Sequence, residues 1–378
     1  MTTFINFCLL ISSFAFASST SYSDIDLKKQ FNEFVNKYNK SYSTSYEYEQ
    51  RCSIFAENLK KIEEHNLQSH PWKQSVNRFA DLTQTEFKSR YASGYSNIIR
   101  KVVNSETSSE NINIDNLPAN KDWRDSNVIT DVKDQGMCGS CWAFATVEQL
   151  ESYLTLETKN NLTRLSAQQI TSCSPNPMNC GGTGGCSGSI PEMGFTYSQM
   201  MGIVTEEEYP YISGDTHETE ECYYDAEGQT ASAYNRGYET LPHNDYNATI
   251  NHLANVGPLA VIADAYYWSF YSEGVFDGCP YNVDMILNHA AQLVGYGTDP
   301  NYGPYWLVRN SWGIEWGDKG YIKLKREPEV ICGTDSYPSS GTGCKNDGNS
   351  VQKVCGMCGI LFDSSYPIGT DVLSGIKP

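Results

Sequence analysis

Thirteen cysteines in 378 residues constrain this chain more than any other feature, because that many thiols point to a fold built around disulfides in an oxidising lumen. Two of them lie three residues apart in "QGMCGSCWAF" (135–144), between glycines and directly ahead of an apolar run. A C-x-x-C of this kind has three readings: a redox pair, half of a metal site, or one structural cysteine beside one reactive one.

The remaining composition narrows the function classes. A formal charge of -18 and a content of 27 Lys and Arg against 45 Asp and Glu argue against a nucleic-acid partner, which needs clustered cations to neutralise phosphates. The start, "MTTFINFCLLISSFAFAS", carries an apolar run from Phe4 to Phe16 that ends in Ala15-Phe16-Ala17. That fits a signal peptide over residues 1–17 with a small-x-small cleavage site, although no Lys or Arg precedes the run. No later run reaches the roughly 18 apolar residues of a membrane span, so no membrane partner is expected. Secretory entry also suits the Asn-x-Ser/Thr sites at Asn39, Asn161 and Asn247, which mark an expected glycoprotein.

From Asp24 to Asn66 the pattern is helical and amphipathic, with Leu27, Phe31, Phe34 and Tyr38, then Ile54, Leu59 and Ile62. Two helices are expected there. The Ser- and Asn-rich stretch from Ser93 to Asn116 has no period and reads as an exposed, cleavable linker. After Leu117-Pro118 the chain turns rich in Gly, Cys, Tyr and Trp. Ala143, Val147, Leu150 and Leu154 predict a helix beginning near Cys141. From Gly257 onward "GPLAVIADA", "NHAAQLVGYG", "YWLVRNSWG" and "GYIKLKRE" read as strands.

Cys141 at a helix N-terminus sits where unpaired N–H groups and the helix dipole favour a thiolate. A thiolate nucleophile needs an imidazole to shuttle its proton. Of six histidines, His65, His70, His217 and His243 lie in polar stretches and His252 on a surface helix, whereas His289 opens an apolar strand.

Here the chain resembles the papain-like cysteine proteases over essentially its whole length. "QGMCGSCWAF" is similar to that family's nucleophile motif, "NHAAQLVGYG" to its His motif and "VRNSWGIEWGDKGY" to its Asn motif, in the family's order. The resemblance implies Cys141 as nucleophile, His289 as its imidazole, Asn310 as the group that orients His289, and Gln135 as an oxyanion donor. Trp142 and Trp312 would support the site, with Trp312 shielding the His289–Asn310 hydrogen bond. It further implies an α+β, two-lobed papain-like fold, one lobe helical and one barrel-like, cleaving polypeptides as an endopeptidase without a cofactor or metal. Glu47, Arg51, Phe55, Asn58, Ile62 and Asn66 reproduce the interspersed pattern of cathepsin L-type propeptides, and "SVNRFAD" keeps Asn77, Phe79 and Asp81 of a second propeptide motif. Ser75 stands where the family has Gly, which puts that turn in question. The expected organisation is therefore a signal peptide (1–17), an inhibitory propeptide with linker (18–116) and a peptidase domain (117–378). Such a zymogen would be a monomer, destined for a lysosome, a digestive vacuole or secretion, with its own propeptide as intramolecular inhibitor.

By motif position the resemblance pairs Cys138 with Cys186, Cys173 with Cys222 and Cys279 with Cys358. Cys180, Cys332, Cys344 and Cys355 remain, with three pairings open. Cys332 and Cys344 bracket "CGTDSYPSSGTGC", part of an insertion that is read either as a stapled loop or, less well for want of a nearby His, as a zinc site. The subsite for the second residue before the cleaved bond is implied to be lined by Ile190, Pro191, Ile262 and Ala290, with Gly188 and Ser189 on the cleft wall along the substrate backbone. Asp363 falls at its floor, where it either accepts an Arg side chain or turns to solvent and leaves the pocket apolar. Ser189 replaces a family Gly and narrows the cleft wall. Two rival classes account for less: a non-enzymatic binding protein has no need of all four site residues, and a thiol-disulfide oxidoreductase leaves the His and Asn motifs unexplained.

Overall fold

The computed structural model describes residues 24–91, 114–159, 162–224, 228–327, 329–341, 343–345, 347 and 350–372. The expected signal peptide, most of the expected linker and Asn161 lie outside them.

The N-terminal region is a small helical unit. Helices α1 (Asp24–Lys37) and α2 (Ser45–Asn66) pack through Phe31, Phe34 and Phe55, whose ring centroids lie 5.1–5.9 Å apart. Thr44 caps α2 by accepting from the Glu47 N–H, while the Glu47 carboxylate accepts from the Ser43 N–H and hydroxyl, a reciprocal arrangement that satisfies donors at the helix start. The polar propeptide residues fasten α2 to the following loop. Asn58 Nδ2 donates to the carbonyls of Ala80 and Leu82, Arg51 pairs with Glu86 at 2.8 Å, and Asn66 holds Gln74 through both its N–H and C=O. Strand β1 (Trp72–Gln74) and helix α3 (Gln84–Tyr91) complete this unit. Ser75 is not among the positive-φ residues, so its turn needs no glycine.

The helical lobe is built on α4 (Cys141–Thr158), with α5 (Ala167–Cys173), α6 (Pro191–Met201) and the one-turn α7 (Ser213–Thr216). The second lobe holds α8 (Tyr246–Asn255) and most of a nine-stranded sheet. Its strands are β2 (Lys121–Asp122), β3 (Gly237–Thr240), β4 (Leu259–Ala263), β5 (Tyr271–Phe276), β6 (His289–Asp299), β7 (Gly303–Arg309), β8 (Tyr321–Lys325) and β11 (Ser364–Ile368). Propeptide strand β1 joins at the edge, giving the order β1-β5-β8-β7-β6-β4-β11-β3, with β2 on β6. A separate hairpin pairs β9 (Cys332–Asp335) with β10 (Gln352–Cys355). The helix expected at Cys141 and the four expected strands are all present.

Helix α4 is buried from Cys141 to Leu154, including Glu148 and Glu151. Two carboxylates inside a protein are tolerable only when paired. Glu151 takes Lys133 at 2.8 Å and Thr130 Oγ1 at 2.5 Å, and Glu148 faces Arg309 at 3.6 Å. Gln292 on β6 donates to the Glu148 carbonyl. These contacts tie the helix that starts at Cys141 to the strands that end at Arg309 and begin at His289.

Five disulfides form among the described residues. Three are those implied by motif position: Cys138–Cys186, Cys173–Cys222 and Cys279–Cys358. The other two are Cys180–Cys344 and Cys332–Cys355. A loop closed on itself by Cys332 and Cys344 is therefore not what forms. Cys332 and Cys355 stand directly opposite in the β9–β10 ladder, which leaves Cys344 to reach the other lobe. No cluster of metal-ligating side chains occurs among the described residues, and the cysteines of the zinc reading are consumed in disulfides.

Candidate active site

Cys141 is the first residue of α4, and His289 is the first of β6. Both line one pocket between the lobes, together with Gly188, Ser189, Ile262 and Ala290. The C-x-x-C does not close on itself: Cys138 is bonded to Cys186 and Cys141 is free.

Asn310 follows β7 directly. Its Oδ1 accepts from the Ser311 N–H at 2.8 Å and lies 2.7 Å from His289 Nε2. An amide oxygen accepts only, so His289 carries its proton on Nε2 and presents Nδ1, which has no other partner, as the basic nitrogen. Trp312 lies against the imidazole with ring centroids 4.8 Å apart, and Trp268 meets it edge-on at 5.9 Å. Both indoles are buried and keep water from the His289–Asn310 bond.

Gln135 is fully buried. Its Oε1 accepts from Ser311 Oγ at 2.7 Å and its Nε2 donates to Cys138 O at 2.9 Å, which fixes the amide orientation and uses one of its two N–H bonds. The backbone is held as well, since Tyr211 Oη donates to Gln135 O at 2.8 Å and Gln135 N donates to Ser311 O at 2.8 Å. Gly136 turns the chain with φ of 57°, where a Cβ would lie 2.5 Å from Gly214 Cα. Trp142 donates its indole N–H to Gly185 O and locks the start of α4 against the loop carrying Cys186.

Burial dominates the electrostatics. It pushes the Cys141 thiol up to about 11 against the backbone N–H groups of Ala290, Trp142 and Cys141, and it pulls His289 down to about 4 against the Asn310 bond. The expectation that the helix start lowers the thiol pKa is thus overridden in this proenzyme form. Burial disfavours the charged form of both groups there.

The described propeptide residues pack beside the site from several elements. Strand β1 pairs antiparallel with β5, Asn77 Nδ2 donates to Ser269 O at 2.7 Å, and Phe79 and Phe87 meet Trp312 edge-on at 5.6 and 5.2 Å. Arg78 grips Asp134, the neighbour of Gln135, through both carboxylate oxygens.

The pocket differs in part from expectation. Ile190, Pro191 and Asp363 are buried but do not line it, whereas Gly181, Leu287, Asn288 and Gly341 do. The Asp363 carbonyl accepts from the Ile262 N–H at 3.2 Å, which places its backbone behind the pocket wall. Ser189 Oγ is buried without a hydrogen-bond partner. Ser311 stood within the Asn motif and was findable there. Tyr211 carried no signal in its neighbourhood.

Known proteins agree with this architecture. Residues 117–342 match the family described as papain family cysteine protease, and residues 31–87 match the cathepsin propeptide inhibitor domain. Vignain of Vigna mungo is 36% identical over 324 residues, covering 84% of this chain and 79% of that protein. Cathepsin L1 of Drosophila melanogaster is 35% identical over 345 residues, covering 87% and 89%. Among solved structures, a recombinant stem bromelain precursor superposes with a TM-score of 0.73 at 30% identity, covering 91% of this chain and 99% of that one. The digestive procathepsin L 3 of Tenebrio molitor larval midgut gives a TM-score of 0.69 at 32% identity, covering 90% and 99%. The chain belongs to the papain family of cysteine proteases, as a zymogen of cathepsin L-like type that carries its own propeptide inhibitor domain.

Proposed function

We propose that Cys141, His289, Asn310 and Gln135 carry peptide-bond hydrolysis. The observation that carries this reading is the shared acceptor Asn310 Oδ1, which leaves His289 Nδ1 as a base on the wall it shares with Cys141. Once the propeptide leaves, water and substrate dipoles restore polarity to the cleft and lift the burial penalty on both ions. The Cys141 proton passes to His289 Nδ1, and the thiolate attacks the peptide carbonyl carbon. Negative charge on the carbonyl oxygen is met by the backbone N–H of Cys141 and the second N–H of Gln135 Nε2. His289 returns its proton to the leaving amine as the C–N bond breaks. Water then attacks the thioester, giving up its proton to His289, and the acid leaves with the thiol restored. Asn310, neutral and accepting, steadies imidazolium without cancelling its charge.

The domain reading that goes with this is a signal peptide over 1–17, an inhibitory segment to residue 116 and a peptidase from 117 to 378. We read the enzyme as a monomeric glycoprotein that acts on polypeptides in a lysosome, a digestive vacuole or outside the cell. Five disulfides and the exposed Asn39 and Asn247 sequons support a lumenal route. An apolar pocket is favoured over an Arg-accepting one, because Asp363 is not on the lining.

The test is labelling of the matured enzyme by a peptidyl epoxide that alkylates active-site thiols. Wild type should label stoichiometrically and lose activity in step. Cys141→Ser should do neither, and residual turnover in that variant would end the assignment.

A further inference from the structure

The two rims of the cleft are joined by a covalent strap. Its root is the β9–β10 hairpin of the sheet lobe, closed by Cys332–Cys355. The hairpin docks on the segment leading to His289: Met285 N donates to Thr334 O at 2.8 Å, and Thr334 Oγ1 and Ser336 Oγ both donate to Asp284 Oδ1. Beyond Asp335 the chain crosses to the helical lobe. There Cys344 bonds Cys180, Gly181 N donates to Gly343 O at 3.0 Å, and Lys345 N donates to Met178 O at 2.6 Å.

The strap runs close over the pocket. A Cβ on Gly341 would lie 2.4 Å from the carbonyl oxygen of Leu287, so the strap backbone rests on the segment two residues before His289. Gly341 from the strap and Gly181 from the rim it is pinned to share the pocket lining with Cys141 and His289. Below them one apolar cluster runs from lobe to lobe. Cys180 and Ile190 of the helical lobe pack with Ile262, Met285, Leu287 and Phe362 of the sheet lobe, and Cys344 packs against them. Side chains that would wall an open apolar subsite are instead packed together beneath a tether.

We infer that the strap shortens the subsite for the second residue before the cleaved bond, so that this enzyme selects peptides with a small side chain, Gly or Ala, at that position. The inference rests on the reading of Cys141 as nucleophile, which sets where that subsite lies. A pocket closed by backbone cannot enlarge by a rotamer change, and a disulfide between the rims prevents them from parting. A bulky side chain there must either displace the strap or stay out of the cleft.

The experiment uses matched fluorogenic peptides differing only in Ala or Phe at that position, with each enzyme matured from the full chain and its sites counted by epoxide titration. Wild type should favour Ala over Phe in kcat/KM by about tenfold or more. The double variant Cys180→Ser with Cys344→Ser releases the tether, and Leu287→Ala makes room beneath it while keeping both cysteines. Each should bring the ratio toward one with titratable sites retained, and Leu287→Ala carries the test alone where the double variant does not fold. Preference of the wild type for Phe, or a ratio unmoved in the folded variants, overturns the strap's role. Failure of the wild type to take the epoxide removes the reading of Cys141 instead, a separate outcome.

Discussion

Two segments meet the same cleft by opposite physical means. The propeptide is held by hydrogen bonds, aromatic edges and the Arg78–Asp134 pair, and among the described residues no disulfide joins it to the peptidase. The strap's root is a hairpin closed by Cys332–Cys355 and hydrogen-bonded to the sheet lobe, and its tip is bonded covalently to the helical lobe by Cys180–Cys344. Contacts of the first kind are worth about 0.5–3 kcal/mol each and are all that holds the segment once the linker is cut. A cross-link of the second kind survives cleavage of the chain elsewhere. One blockade is therefore temporary and governs when the enzyme acts, while the other is permanent and governs what it accepts.

The largest expected effect separates them at the thiol. Burial pushes the Cys141 thiol up to about 11 in the proenzyme, so little of it is thiolate at pH 7. Iodoacetamide should therefore modify Cys141 far more slowly than it modifies a fully ionised thiol at that pH. After maturation the rate should rise by a hundredfold or more, although the strap is still in place. Peptide mapping by mass spectrometry distinguishes Cys141 from Cys52, the other free cysteine among the described residues. Equal rates before and after maturation would show that the propeptide does not set the ionisation.

Smaller effects address the propeptide's own fold. Asn58→Ala leaves the carbonyls of Ala80 and Leu82 without their donor in a buried place, at a cost of about 2 kcal/mol. Self-processing of the purified zymogen should then run roughly tenfold faster, with the Ala-to-Phe selectivity of the mature enzyme unchanged. A shift in that selectivity would mean that the two blockades are not independent.

The difference between the blockades also explains what was legible in the sequence. Cys141, His289, Asn310 and Gln135 lie in short stretches whose neighbours do the positioning: Ser311 beside Asn310 holds Gln135, and Cys138 fixes the loop ahead of Cys141. The α2 residues are spaced by the helix itself, so their pattern could be read directly. The strap was not readable, because Cys180 and Cys344 stand 164 positions apart and only the β9–β10 register decides that Cys332 takes Cys355. Asp363 is expected at the subsite floor but is absent from the lining for a related reason. Motif counting gives a residue's place along β11's approach, but the strap and Leu287, which the motifs do not mention, now occupy the lining.

The smallest effect concerns acid. Within the propeptide, burial works against the charge of Glu86, but hydrogen bonds from Arg51 and Thr83 overcome it and hold the carboxyl down to about 2. Its folded value lies below its unfolded one, so the stability it contributes is present above about pH 4.5 and is lost only as the pH falls toward 2. The Arg51–Glu86 pair therefore persists in a mildly acidic lumen and is a poor trigger. His65 behaves differently. Burial lowers its pKa below 6.5, against the hydrogen bond to Trp72 O, with the His70 and Lys73 charges also disfavouring its protonation and Asp277 favouring it. Its ring stacks on His70 at 4.2 Å and lies against Trp72 of β1. Stability from the neutral ring is complete above pH 6.5 and declines as the pH falls, because the released segment binds the proton more readily than the docked one. A single partly exposed imidazole should change the ratio of processing rates at pH 5 and pH 7 by only a few-fold. His65→Gln, which keeps a hydrogen-bonding side chain but does not titrate, should flatten that ratio without altering the rate at pH 7. If the variant retains the full acid acceleration, the loosening of the propeptide lies elsewhere than at β1.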